Sequence, residues 1–213
     1  MERRVEDEIL DHLTAADPEA IRSRRDLRLI NTLMGNERWI CRELRGDQRP
    51  KLELGAGGGE LTRKLQNVTG LDLQEAPEGS GLKWVRGDLF ETLPELEGAV
   101  VVANLILHHF EDEALGRLGK LLGSREKVVL VEPWRSRLSL VEGAMLFPVL
   151  GSVTRHDMMV SIRAGFRKGE LPEKLDLLGW EWKEEVSLLG GLRVVGRRKR
   201  GSGAELRRTS AVL

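Results

Sequence analysis

Lys51-Leu-Glu-Leu-Gly-Ala-Gly-Gly-Gly-Glu-Leu61, followed shortly by Val68-Thr-Gly-Leu-Asp72, is the stretch from which the rest of this chain can be understood. Four glycines occupy positions 55–59, between a short apolar run and residues with helical spacing. Each glycine in ordered structure costs roughly 0.5 to 1 kcal/mol relative to alanine, so a bare backbone here needs a reason. The common reason is a nucleotide-like ligand that approaches the main chain more closely than a Cβ allows. An acidic residue closing the next strand then grips its ribose. Glycine phasing narrows the ligand. A dinucleotide fingerprint, Gly-x-Gly-x-x-Gly, starting at Gly55 requires glycine where Glu60 stands, and starting at Gly57 it requires glycine where Thr62 stands. No Gly-Lys-Ser/Thr follows either, which excludes a phosphate-cradling P-loop. What remains is an acidic-x-Gly-x-Gly-x-Gly pattern on Glu53, Gly55, Gly57 and Gly59.

Working outward, apolar spacing predicts alternating strands and helices, an α/β protein with a mostly parallel sheet covered on both faces. Val5, Ile9 and Leu13 repeat at helical spacing. Asp17-Pro18 caps a second helix carrying Ile21, Leu27, Ile30 and Met34, which Gly35-Asn36 ends. A third, with Ile40 and Leu44, leads into a strand at Lys51 to Leu54. Leu61 and Leu65 mark a helix after the glycines. Strands are expected near Val68 to Leu73, Leu82 to Val85, Ala99 to Ala103 and Lys127 to Val131, with an Asp112-capped helix bearing Leu115, Leu118, Leu121 and Leu122 before the last. Leu171-Pro172 opens a short helix closed by Gly179. Glu181 to Leu188 and Leu192 to Gly196 then form a terminal antiparallel hairpin around Gly190-Gly191.

Composition bounds the function. The 213 residues suit one hydrophobic core. A lone Cys41 forbids an internal disulfide and fits a reducing compartment. Lys and Arg number 34, matching 34 Asp and Glu, so the molecule as a whole has no electrostatic pull toward nucleic acid or anionic lipid. The start, Met1-Glu-Arg-Arg, shows no signal peptide. The longest apolar stretch, Leu138 to Val153, is broken by Glu142 and falls short of the roughly 20 residues of a membrane span. The expected location is cytoplasmic, and no oligomeric state follows from the sequence.

The glycine pattern resembles the first motif of class I S-adenosylmethionine-dependent methyltransferases, and further motifs follow in the family's order. Leu82-Lys-Trp-Val-Arg-Gly-Asp88-Leu-Phe resembles its third strand and following Asp. Ala99-Val-Val-Val-Ala-Asn104-Leu-Ile-Leu-His108-His109-Phe resembles its fourth strand and the His-His loop of many small-molecule members. The likeness runs from about Gly46 to Trp134, and Arg24 to Asn36 is similar to a helix preceding the core in small bacterial members, those with type 11/12-like methyltransferase domains. It implies a Rossmann-like seven-stranded sheet with helices on both faces, and S-adenosylmethionine as cofactor. Carried over by position, it implies that Gly55, Ala56, Gly57 and Gly59 lie against the methionine part, with Glu53 orienting that end. Asp72 takes the ribose hydroxyls, with Leu73 beside it also in the cofactor site, Asp88 takes the adenine amino group, Leu89 offers its backbone N–H to the ring, and Asn104 ends the strand that faces the sulfonium. The implied reaction is in-line methyl transfer, which asks the protein for positioning above all.

The acceptor is narrowed by elimination. Asn104-Leu-Ile-Leu is not the Asn-Pro-Pro-Tyr strand end of enzymes that methylate planar nitrogens, and the chain has no tyrosine for base stacking. A small lipophilic or aromatic acceptor, methylated at oxygen or carbon, is expected. His109 borders it in this reading, and His156, beside Asp157, is a second candidate base. The His108-His109 pair has no second cluster at metal-ligand spacing, so no metal is expected. Three regions are expected: a helical lead-in over 1–45, a methyltransferase domain over 46–200 whose insertion at 136–170 covers the acceptor with Met145, Leu146, Phe147, Met158, Met159 and Phe166, and a basic tail over 201–213. Arg197-Arg-Lys-Arg200 and Arg207-Arg208 leave two alternatives to a small-molecule enzyme, an RNA-modifying methyltransferase using the tail or a cofactor-binding module without turnover.

Overall fold

The computed structural model describes residues 1–14 and 16–199; the basic tail at 201–213, with Arg207 and Arg208, lies outside them. Seven strands form one sheet: β1 (Lys51–Leu54), β2 (Val68–Asp72), β3 (Trp84–Arg86), β4 (Val100–Asn104), β5 (Lys127–Pro133), β6 (Trp180–Val186) and β7 (Gly191–Arg198). Their order is β3-β2-β1-β4-β5-β7-β6. The pairs among β1 to β5 are parallel, and β7 runs antiparallel to both neighbours. The terminal hairpin therefore places β7 between β5 and β6.

Alternation along the strands builds the two faces, since successive side chains point to opposite sides. Val101, Ala103, Val128, Leu130 and Val194 pack with Leu115, Leu118 and Leu122 of α4 (Asp112–Leu122) and with Leu171 and Leu175 of the helix at Glu170–Leu175. Val100, Val102, Val129, Val131 and Val195 pack on the other side against Trp39 and Ile40 of the helix at Asn36–Glu43 and Leu44 just after it. Gly119 allows the first face to close, because a Cβ there would lie 1.8 Å from the Leu175 carbonyl oxygen. Away from the strand ends that form the site, the buried Lys51 ammonium donates to the Asp47, Arg49 and Gln66 carbonyls at 2.6, 2.9 and 3.0 Å.

Several elements depart from the sequence reading. The helix expected after the glycines is a single 3-10 turn, Thr62–Lys64, because the crossover ends at Asn67 in a left-handed conformation (φ 52°) and Thr62 directs its hydroxyl inward. The helix expected through Val5, Ile9 and Leu13 is also only a 3-10 turn, Ile9–His12. Asp157 supplies the hydrogen bonds, accepting from the Ile9 and Leu10 amides at 2.9 and 3.0 Å. The long helix Pro18–Met34 starts at the Asp17 cap as expected, yet it buries Ala20, Ser23 and Asp26 and leaves Ile21 56% exposed. Its inner face is a polar clamp: Asp26 accepts from the Gly151 amide at 2.7 Å and from the Thr154 hydroxyl at 3.1 Å. Asp112 does not cap α4, since its carboxylate is held by Arg3 at 3.0 Å and Lys174 at 2.5 Å. The third strand begins at Trp84, and the late helix ends at Asp176 in a left-handed turn instead of at Gly179.

The segment expected to cover the acceptor forms α5 (Arg137–Met145), a 3-10 turn at Phe147–Val149 and α6 (Ser152–Ala164). Its apolar groups do not share one surface. Phe166 is fully buried in the core while Met145 is 75% exposed, and Met158 and Met159 are half-buried.

Candidate active site at the switch point of the sheet

Strand order reverses between β1 and β4, and open α/β sheets bind ligands in the crevice at the carboxyl ends of such a pair. Register places the sequence-derived residues there. Leu54 lies opposite both Leu71 and Ala103, so the next residues along, Gly55, Asp72 and Asn104, sit at one level on three adjacent strand ends.

Gly55, Gly57 and Gly59 all have positive φ, at 63°, 52° and 71°, a conformation that side chains disfavour. Space distinguishes them further. A Cβ on Gly55 would meet Ile106 Cγ1 at 2.8 Å, and one on Gly59 would meet Leu82 Cδ1 at 2.6 Å, so at these positions the protein's own side chains occupy the gap. A Cβ on Gly57 would meet nothing within 4 Å. Ala56 is buried and ties the loop together, with its carbonyl accepting from the Gly59 amide at 2.8 Å.

Asp72 joins the two motifs directly. Its Oδ2 accepts from the Gly57 amide at 2.8 Å and its Oδ1 from the Gln74 amide at 2.9 Å. Leu73 beside it is 68% exposed, a bare apolar surface next to a carboxylate. Asp88 is exposed and caps the short helix Leu89–Thr92, with Oδ1 accepting from the Phe90 amide at 2.8 Å, so the helix-capping role is its observed one; Leu89 is the first residue of that turn. Glu53 is buried on β1, and the Thr62 hydroxyl donates to its Oε2 at 2.5 Å. Burial, only partly opposed by that hydrogen bond, pushes its carboxyl up to about 7. Asn104 ends β4 with its Oδ1 buried and, among the described residues, without a hydrogen-bond partner, an uncommon state for a polar atom.

The turn after Asn104 is held from below by a residue that the sequence reading passed over. Leu105 has φ 59°, strained for a bulky residue, and its amide donates to the Val131 carbonyl at 2.8 Å. Glu132 of β5, fully buried, accepts from the Ile106 and Leu107 amides at 3.1 and 2.8 Å and from the His108 amide at 3.2 Å. Its Oε2 also lies 2.7 Å from His108 Nδ1. Burial opposes the charged form of His108, yet hydrogen bonds to Glu132 and Glu8 outweigh it and raise the ring to about 9. The one sequence signal for Glu132 was a lone carboxylate inside an otherwise apolar buried run. His109 is half-buried, its ring centroid 4.2 Å from that of His108, and burial lowers its pKa. His156 stands on the solvent side of α6 with its side chain 52% exposed; its Nδ1 lies 3.1 Å from Oδ1 of Asp157, the expected orienter, whose carboxylate also accepts from the Ile9 and Leu10 amides.

The N-terminal residues pack against the turn after β4 and the helix at Ser152–Ala164. Arg3 donates to the Ala164, His108 and Phe110 carbonyls at 2.8, 3.2 and 2.7 Å, and Glu8 accepts from the Ser161 hydroxyl. Beyond the end of β5 a cavity of about 810 Å³ is bordered by Trp134, Arg137, Lys168 and Val186.

This fold is that of the class I S-adenosylmethionine-dependent methyltransferases. Among solved structures, the plantazolicin methyltransferase BpumL in complex with SAH is 14% identical with a TM-score of 0.63, over 87% of this chain and 92% of that one. The pyocyanin biosynthetic protein PhzM is 20% identical with a TM-score of 0.61, over 91% of this chain and 62% of its own. Human N-acetylserotonin methyltransferase in complex with SAM is 15% identical with a TM-score of 0.60, over 88% of this chain and 61% of its own. No protein-family model matches the sequence, and no curated protein matches it.

Proposed function

We propose that the chain is an S-adenosylmethionine-dependent methyltransferase acting on a small acceptor. The observation that carries this is the meeting of Gly57, Asp72 and Asn104 at the switch point: an open, side-chain-free turn, a ribose-type carboxylate 2.8 Å from it, and a buried amide oxygen lacking a partner among the described residues. The donor set fits the cofactor. Asp72 would hold the ribose hydroxyls, and Leu73 offers an apolar surface for the adenine. The Gly57 turn would admit the methionine part near Glu53, and Asn104 would direct its oxygen at the positive sulfur. When bound, this cofactor supplies an electrophilic methyl on a sulfonium. BpumL and the human enzyme, methyltransferases in complex with SAH and SAM, support the same reading.

The chain's own work is then to place and to exclude water. Glu132 fixes the Leu105 to His108 turn, and the N-terminal residues pinned by Arg3 close over it. His109, half-buried with its pKa lowered, is a base available near neutral pH for an acceptor proton. A lipophilic or aromatic acceptor methylated at oxygen suits that arrangement, and His156 has no part in it. Asp88 caps through Oδ1, so Oδ2 would be the oxygen that meets an adenine amino group.

Calorimetry with S-adenosylmethionine and its demethylated product tests the proposal. Micromolar binding of both is expected; absence of heat together with absence of a thermal shift would remove it. Methyl transfer from labelled cofactor to any component of a cell extract separates an enzyme from a binding module.

A further inference from the structure

The fold assembles a set of donors that sequence spacing did not reveal. Glu8 comes from the N-terminal segment and His108 and His109 from the turn after β4, and one ligand atom from each lies within 4.8 Å of the others. Glu8 and His108 are buried and His109 is half-buried. His108 Nε2 points at Glu8, 3.6 Å from its Oε1. Two of the three donors are oriented from behind: Glu132 takes His108 Nδ1 at 2.7 Å, and the Ser161 hydroxyl donates to Glu8.

We infer that Glu8, His108 and His109 form a binding site for a divalent transition-metal cation of the zinc type. Two imidazoles and one carboxylate are the donors that such ions take, and three protein ligands leave a further position for water or an acceptor oxygen. The Glu132–His108 contact is the carboxylate-to-histidine support that fixes ring orientation and raises ligand basicity at metal centres. Glu8 and Glu132 bring two buried carboxylates to His108, so a cation bound through that ring has carboxylate charge on both sides of it. The ligands also join two elements far apart in sequence, so the ion would clamp the N-terminal segment onto the turn beside Asn104. This inference is independent of the cofactor reading, because it concerns binding of the ion alone; with the ion bound, His109 is a ligand and not the base for an acceptor proton.

The test uses the full chain, free of affinity tags and stripped with chelator, titrated with Zn²⁺ by calorimetry and with Co²⁺ by visible absorption. One equivalent should bind, with ligand-field bands from Co²⁺. Glu8→Gln and His109→Asn should each weaken binding at least tenfold, and Glu132→Gln should weaken it about 10- to 100-fold through His108. Cys41→Ser and His156→Ala should leave it unchanged. X-ray absorption of the Zn²⁺-loaded wild type needs no variant, and two imidazole nitrogens with oxygen and no sulfur are expected. Absence of stoichiometric binding, affinity unaltered by both Glu8→Gln and His109→Asn, or sulfur in the coordination shell would overturn the inference.

Discussion

The Asp72 carboxylate and the Gly57 amide are hydrogen-bonded at 2.8 Å, so the glycine motif and the acidic end of the next strand are one physical unit in the fold. In the proposed cofactor site a ribose would meet a carboxylate already oriented by two backbone amides. Asp72→Ala should weaken S-adenosylmethionine binding by about 1 to 3 kcal/mol, the cost of losing charge-assisted hydrogen bonds. Isothermal titration of variant and wild type measures it, and equal affinities would place the ribose elsewhere.

Gly57 and Gly59 should respond differently to alanine. Both need a left-handed backbone, which costs roughly 1 to 2 kcal/mol for a residue with a Cβ. Gly59→Ala adds a clash with Leu82, so its main effect is on the melting temperature. Gly57→Ala projects into open space and should lose cofactor affinity out of proportion to its stability loss. Equal ratios of the two effects in both variants would show that the turn at Gly57 does not face the ligand.

Glu53 makes stability depend on pH. Its folded carboxyl titrates at about 7, above the ordinary value of 4.5 that the unfolded chain keeps. Below that ordinary value both states hold the proton and nothing is lost. As pH rises toward 7 the unfolded chain releases its proton while the folded chain retains it, so the wild type loses stability, by about 3 kcal/mol in all. Glu53→Gln should remove this decline, matching the wild type near pH 4 and exceeding it at pH 8 in urea unfolding. Parallel curves for the two proteins would refute the assignment.

Glu132→Ala should be among the most damaging single changes. It strands three backbone amides and the His108 ring in the interior, and breaking a buried charged pair typically costs about 3 to 5 kcal/mol. Denaturant unfolding measures the loss, and hydrogen exchange should show it first at Ile106, Leu107 and His108. A loss below about 1 kcal/mol would mean that the turn is supported otherwise.

Much of this was legible in advance because its causes are local or periodic. The apolar runs at Lys51–Leu54, Val68–Asp72 and Lys127–Pro133 are strands buried in the sheet, and Asp17-Pro18 carries its own capping chemistry. The misses have tertiary causes. Asp157 diverts the amides of Ile9 and Leu10 from a helix, Asp26 turns the long first helix so that its polar face is buried, and Leu82 leaves the strand to fill the space over Gly59. Glu8 meets His108 across 100 positions of sequence, a distance over which no spacing rule operates. The role of Glu132 needed the register of β5 against β4, which sets it one step beyond the Asn104 pair.

Leu105 bends backward in a conformation usually left to glycine, and hydrogen bonds to Val131 and through Glu132 lock the chain on either side of it. The lip of the sheet is therefore a fixed floor. Arg3 holds the strap above it at several points, through the His108 and Phe110 carbonyls at the turn, the Ala164 carbonyl at the end of a neighbouring helix and an ion pair with Asp112, so a change at that one side chain loosens the roof while the floor stays in place.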